Sequence, residues 1–421
     1  MQSVKPKVML STLGTAVLRA QPLLTFPVFL SVLLGTPPLW LSWLIAIIPW
    51  PLRFFITGRL TQRTPFDIPI LVSIAGMLLG FFLSPDHQLS VPILHTYLAC
   101  VLFYYGIVNN SRARSGYWVS IAVFLCLILF FLTAWVFTSS EGAHTVFNSW
   151  AYEAASSLPR PLNMSPNVNA LGGAFAVVIP GLVAIALFRQ RTWVRWSAGI
   201  LAVIFGGILV LSTSGGGLIV ATVAILIVLF WRNVKMFWGA SLALGVTIGA
   251  TSSIWNNASW LAEVFSFQVL FSRLERWQAT IAALKDSPLT GLGLGGWWSK
   301  VPAFGMNGGP HNAYLQLFSD TGALGAIAFV MAVIVGGKLL WQILHADKDN
   351  PIYGITVGIV AGIIAGGLHA LIDDNMNVLI PIGNEYLYFA VPLLWLLAAL
   401  LVVSYQHLLG DIEKDKRIGP F

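Results

Sequence analysis

Residues 196–232 read WSAGILAVIFGGILVLSTSGGGLIVATVAILIVLFWR. Two apolar runs, about 196–213 and 216–232, are joined only by Thr213, Ser214 and Gly215. An apolar run of roughly 17–25 residues is long enough to cross the hydrocarbon core of a bilayer as a helix. The stretch therefore reads as a tight helical hairpin with both arms in lipid.

The rest of the chain repeats that pattern. Its 421 residues include 23 Lys or Arg and 16 Asp or Glu, so 9% are charged, against about 25% in soluble domains. Hydrophobic residues make up 57% and the mean hydropathy is +0.81. A water-soluble globule lacks polar cover at this composition, and disorder needs the opposite balance of charge and hydrophobicity. Apolar runs fall at about 18–36, 38–56, 67–84, 89–108, 117–138, 167–188, 196–213, 216–232, 235–253, 322–341, 352–371 and 385–405. The expectation is an all-α polytopic membrane protein of about 12 transmembrane helices, forming a single membrane domain over 1–421. Cys100 and Cys126 lie in apolar runs, so neither a disulfide framework nor a structural zinc site is expected. The basic residues are scattered at the ends of the runs rather than clustered as a footprint, which argues against a nucleic-acid partner. The start, MQSVKPKVML, leads into apolar sequence with no obvious signal-peptide cleavage site.

Positive residues orient the helices, because Lys and Arg concentrate on the cytoplasmic side. With the N-terminus in the cytoplasm, 18 of the 23 basic residues fall inside. Arg160, Arg273, Arg276, Lys285 and Lys300 fall outside. Acidic residues split six inside and ten outside. Both termini are expected in the cytoplasm, with outer segments at about 139–166 and, between the ninth and tenth helices, at about 254–321.

The second outer segment carries the densest polar content. It includes FSRLERWQATIAALKDSPLTGLGLGGWWSKVPAFGMNGGPHNAYLQLFSDTGALG, residues 271–325. From Arg273 to Leu284 the spacing of Trp277, Ile281 and Leu284 predicts an amphipathic helix, with Arg273 and Arg276 on another part of its surface. Such a helix serves equally as a lipid-headgroup anchor or as an anion site whose guanidinium forks grip phosphate. Gly291, Gly293, Gly295 and Gly296 read as a flexible approach to Trp297 and Trp298. The glycines match neither a dinucleotide fingerprint nor a P-loop, since no G-K-[ST] and no partner carboxylate follow.

His311 follows Gly308, Gly309 and Pro310 and precedes Asn312. Near neutral pH an imidazole can accept a proton from a hydroxyl nucleophile. His369, Asp373 and Asp374 form a second polar cluster at the outer end of the eleventh run, where such groups are costly unless they face a bundle interior or a wet cavity. Their readings include orienting His311, binding a sugar, holding a divalent cation or tying helices together. Asn163, Asn167 and Asn169 open the sixth run, as helix caps or as the lining of a glycan groove.

These pieces together resemble the O-antigen ligase/polymerase superfamily of bacterial inner-membrane glycosyltransferases. The resemblance rests on P-N-x-N-A at 166–170, on R-x-x-x-W…P-L-T-G-x-G from Arg273 to Gly293, and on H-N-A-Y-L-Q…G-x-x-G from His311 to Gly325. The H-x-x-x-D of His369 and Asp373 is similar to a late feature of the family. The resemblance implies an undecaprenyl-diphosphate-linked glycan as donor and a periplasm-facing site that needs no metal or cofactor. It further implies His311 as the base that activates an acceptor hydroxyl, and Arg273 as a clamp on the diphosphate. Arg276, Asn312, Asn167, Asn169, Arg160, His369 and Asp373 are the further substrate-binding candidates. The chain departs from the family in the hairpin quoted first: LSTSGGGLI has Gly215 where many members carry Arg. Arg276, Arg160 or Lys285 is left to supply the second positive charge.

The acceptor separates the functions that the resemblance allows. Lipid A–core makes the protein an O-antigen ligase, which the HN-containing segment resembles most closely. A growing lipid-linked glycan makes it a polymerase, and a protein hydroxyl makes it an O-oligosaccharyltransferase. Transport of inorganic carbon or another solute is a different class, but no internal repeat is evident and the polar residues cluster outside the runs rather than at mid-membrane.

Overall fold

The computed structural model describes residues 14–33, 40–110, 168–188, 191–211, 214–257, 267–301, 309–346, 352–372, 380–382, 385–387 and 390–417. The chain is helical almost throughout these stretches. The helices are α1 (Gln21–Leu33), α2 (Trp40–Ile47), α3 (Pro49–Thr57), α4 (Asp67–Phe82), α5 (His87–Val108), α6 (Val168–Phe188), α7 (Thr192–Leu211), α8 (Gly215–Arg232), α9 (Val234–Asn257), α10 (Phe267–Leu284), α11 (Gly296–Lys300), α12 (Ala313–Leu344), α13 (Tyr353–Ile372) and α14 (Ala390–Arg417). The strands β1 (Ile380–Ile382) and β2 (Glu385–Leu387) form a small antiparallel pair before α14.

Five helices among the described residues are long and apolar enough to cross a membrane: α5, α7, α8, α12 and α13. Shorter apolar helices cover Leu41–Thr57, Asp67–Phe82, Gly172–Phe188, Val234–Thr247 and Leu393–Leu408. The protein is thus an all-α chain with several membrane-length helices. The run at 117–138 lies outside the described residues. Two other runs begin elsewhere than the sequence predicts. The last opens not as helix but as strand β2, paired through Pro381↔Tyr386, a position where a missing N–H is tolerated because the pair has no further strand. The tenth begins at Ala313, because Asn312 Oδ1 accepts from the backbone N–H groups of Tyr314 and Leu315 and caps the helix there. Helix α12 then breaks at Gly322, with φ 61° and ψ −146°.

Small residues set the tightest packing. Gly354, Gly358, Gly362 and Gly366 recur every fourth residue along α13. A Cβ on Gly358 would lie 2.9 Å from Gly181 Cα, and one on Gly362 would lie 2.7 Å from the Val177 carbonyl. The seam lets α6 and α13 approach backbone to backbone and antiparallel, the geometry that small-xxx-small spacing permits in membranes, where dispersion rather than water expulsion drives association. Helices α7 and α8 pack on α6 as well, and α14 covers α5 and α13. Away from this core, Val203 of α7 and Leu242 of α9 are largely exposed, as helix faces turned toward lipid would be.

Candidate functional site

The amphipathic segment is α10, and it begins at Phe267, six residues earlier than its spacing predicts. Its buried face also differs. Ile281 is half exposed, while Thr280 is fully buried beside Leu284. The reason is Trp297: its indole Nε1 donates to Thr280 Oγ1 at 2.8 Å, and the Thr280 hydroxyl donates in turn to the Arg276 carbonyl at 2.7 Å. A buried indole N–H needs an acceptor, and that requirement outweighs the hydrophobic spacing in deciding which face turns inward. Trp297 and Trp298 are accordingly core residues, packed with Leu284, Leu292 and Leu89. Arg273 and Arg276 lie half-buried on the flank of α10.

The glycine-rich loop is not the flexible approach that its composition suggests. Residues 291–298 are buried throughout, and the loop is stitched on two sides. Leu292 N donates to the Ser319 carbonyl at 2.6 Å, Ala323 N to Leu289 O at 3.0 Å, and Gly295 N to Asp320 Oδ1 at 3.2 Å. Toward α4, Leu294 N donates to Gly80 O at 2.9 Å, and Ser84 Oγ donates to Leu294 O at 2.7 Å. At Gly293, with φ 87°, a Cβ would sit 2.7 Å from the Leu83 carbonyl oxygen, so only glycine fits between the two segments. The alternation of glycine with Leu292 and Leu294 lets the backbone turn while both leucines insert into the core. The loop fills the break in α12 and carries the chain from α10 toward His311.

His311 lies just before the Asn312 cap of α12. Its φ of +50° makes it the one non-glycine residue with positive φ among the described residues, a conformation that costs an L-residue roughly 1–2 kcal/mol. Neighbours on both sides hold it there. Arg276 Nη1 donates to the carbonyl of Gly309 at 3.2 Å. Asn312, besides capping α12, donates through Nδ2 to the Leu371 carbonyl at 3.1 Å. Strain stored in this way is characteristic of groups held for a task.

The Asn312 bond joins the start of α12 to the end of α13, as does the Tyr314 hydroxyl, which donates to Gly367 O at 2.6 Å. His369 is buried in the last turn of α13, at one end of the α6–α13 glycine seam. Its ring occupies the space beside Gly173: a Cβ there would lie 2.7 Å from Cε1 and 2.8 Å from Nδ1. A Cβ on Gly216 would lie 3.9 Å from Nε2, so the ring also borders the first turn of α8. That turn begins with Ser214, whose hydroxyl accepts from Gly217 N at 3.3 Å, and with Gly215, at the position where the resemblance leads one to expect Arg.

The structure thus brings Arg276 to the His311 segment, ties Asn312 to α13, and seats His369 two residues before the Asn312 contact at Leu371. Arg273 lies one turn before Arg276 on α10 and makes no hydrogen bond or ion pair among the described residues. Arg160, Asn167 and Asp373 lie outside the described residues, and Asn169 is in the first turn of α6 with its side chain not described. Among the described residues, no three His, Cys, Asp or Glu side chains converge as a metal-binding group would. Two residues that shape the site were not singled out by sequence: Asp320, which anchors the glycine loop, and Gly216, which with Gly173 makes room for His369. Glycines 172–173 in α6 and 215–217 in α8, which meet where the two helices touch, are the signal that would have found Gly216.

No curated protein matches this chain. Residues 200–330, from within α7 to just past the break in α12, match the family model described as O-antigen ligase, a stretch that holds Arg273, Arg276, His311 and Asn312 and leaves His369 outside it.

Proposed function

We propose that this protein is a membrane glycosyltransferase of the O-antigen ligase type, set in a bacterial inner membrane with its site facing the periplasm. In this reading it moves a glycan from an undecaprenyl-diphosphate carrier onto a hydroxyl of lipid A–core. The observation that carries the proposal is the bond from Arg276 to Gly309, which sets a guanidinium beside the His311 segment inside the stretch similar to O-antigen ligases.

The donor is already activated, so the protein must position it, stabilise its charge and remove one proton. The acceptor oxygen attacks the anomeric carbon while its proton passes to His311. The bond from that carbon to the phosphate oxygen breaks, and undecaprenyl diphosphate leaves with the electron pair. Arg273 and Arg276 hold the diphosphate, whose negative charge grows as that bond breaks. Asn312 acts as a positioning residue, since its cap and its bond to Leu371 fix the backbone that presents His311. His369 borders the α6–α8 crossing and lines the glycan side of the site, where Asn167, Asn169, Arg160 and Asp373 are assigned as well. With Gly215 in the first turn of α8, Arg276 supplies the second positive charge.

Reconstitution with a lipid-linked glycan and separate lipid A–core, glycan and peptide acceptors tests this directly. The expected product is glycosylated lipid A–core, dependent on His311. Elongated lipid-linked glycan alone would reassign the protein as a polymerase, and glycosylated peptide as a protein transferase. An unchanged donor with every acceptor, together with solute movement across liposomes, would sink the enzyme reading.

A further inference from the structure

A second polar cluster lies where α1, α3 and α5 meet, built from residues that the proposed reaction does not use. Arg53 of α3 is 8% exposed. Its Nη2 donates to the Asn109 carbonyl at the end of α5, 2.9 Å away, while Nε is buried without an acceptor. Among the described residues Arg53 makes no ion pair. The C-terminal carbonyls of α5 offset part of its charge, since the helix dipole contributes roughly half an elementary charge there. A buried guanidinium ordinarily has a full counter-charge as well.

The surrounding amides are oriented by the hydrogen bonds themselves. The Gln62 backbone N–H can only donate, and it donates to Asn109 Oδ1 at 2.7 Å. That fixes Asn109 Nδ2 as a donor, and it donates to Gln21 Oε1 at 3.3 Å. Gln21 Nε2 is left as a donor, because exchanging its O and N would set two N–H groups against each other. Gln21 is fully buried, and this nitrogen has no acceptor among the described residues. Trp50, one turn before Arg53 and edge-on to Tyr105, has a third buried N–H without an acceptor. The Asn109 carbonyl also accepts from Gln62 Nε2 at 3.1 Å, so the nearby acceptors are occupied. What the cluster lacks among the described residues is a negatively charged acceptor.

The outer face of the same helix indicates where that acceptor comes from. Phe54, Phe55 and Ile56 are exposed, Phe55 by 83%. They form an apolar surface beside the buried charge.

We propose that the α1–α3–α5 junction binds a phosphate oxyanion carried by a phospholipid headgroup. Arg53 is its counter-charge and Gln21 a second donor, and the acyl chains lie along Phe54, Phe55 and Ile56. Guanidinium suits this role because its fork matches two phosphate oxygens at once.

The test uses the full chain, purified in detergent and stripped of lipid. Native mass spectrometry and thermal unfolding are read with phosphatidylglycerol, diacylglycerol or inorganic phosphate added. Phosphatidylglycerol should give one retained adduct per chain and raise Tm, whereas diacylglycerol, which lacks the phosphate, should do neither. Arg53→Met should weaken retention at least tenfold. Gln21→Glu keeps the acceptor for Asn109 and puts a carboxylate into the same junction. It should therefore raise the lipid-free Tm and exclude the lipid, and it keeps the proposal testable if Arg53→Met fails to fold. Protection by inorganic phosphate but not by phosphatidylglycerol, lost in Gln21→Glu, keeps the anion site and overturns the lipid as its source. Equal protection by diacylglycerol, or undiminished phosphatidylglycerol adducts in Gln21→Glu, overturns the proposal.

Discussion

Arg276 on α10 and Gly309, two residues before His311, are joined by a 3.2 Å hydrogen bond from guanidinium to carbonyl. The helix that carries the basic residues and the turn that carries the imidazole are therefore tied directly to each other. If the proposed function holds, Arg276→Ala should cut glycosyl transfer more than Arg273→Ala does, because it removes the diphosphate contact assigned there and also the hydrogen bond to the histidine turn. Steady-state kinetics on the reconstituted enzyme separate the two: Arg273→Ala should raise the donor KM, and Arg276→Ala should lower kcat as well.

His311 stands at φ +50°, so its conformation and its chemistry can be tested apart. His311→Gly should relieve about 1 kcal/mol of backbone strain and hold or raise Tm, while transfer falls by roughly 10²–10⁴ as a general base is lost. Activity retained in a well-folded His311→Gly enzyme would remove the base assignment.

Trp297→Phe deletes the donor to the buried Thr280 hydroxyl. A loss of about 1–2 kcal/mol in stability is expected from that bond and the lost ring volume. Denaturant or thermal unfolding in detergent, followed by near-ultraviolet signals, would register it. Transfer by the folded fraction should change little.

Gly173→Ala drives a methyl to within 2.7 Å of the His369 ring. Overpacking of this kind typically costs about 1–3 kcal/mol, and here the ring must move or the α6–α13 seam must open. If His369 lines the glycan site, kcat/KM for the donor should fall while binding of free polyprenyl diphosphate persists. Unaltered kinetics in a folded variant would make His369 structural.

Much of this was legible before any fold was known. The scarcity of charge required a membrane chain of helices. The clustering of Arg273, Arg276 and His311 in one long polar segment marked the place to look. Other features were illegible for a common reason. Periodicity reports which face of a helix is apolar, but Thr280 is buried through a partner 17 residues away in the sequence. Glycine composition reads as freedom, yet Leu294 is held by Ser84 across 210 residues of sequence. The start of α12 depended on which of several polar residues became its cap.

Solvent preference belongs to each residue separately, and so helix class, the outer placement expected of the polar segment and the short list of candidate groups follow from the chain's own order of residues. Packing belongs to pairs. Only the folded chain shows that the glycine loop is a plug rather than a hinge, that His369 is seated against Gly173, and that Arg276 reaches the His311 turn. The same holds at Arg53. Its charge is plain in the sequence, but its burial beside Gln21 and Asn109, with no ion pair among the described residues, depends on three helices meeting, because desolvation and hydrogen-bond satisfaction are decided by neighbours in space.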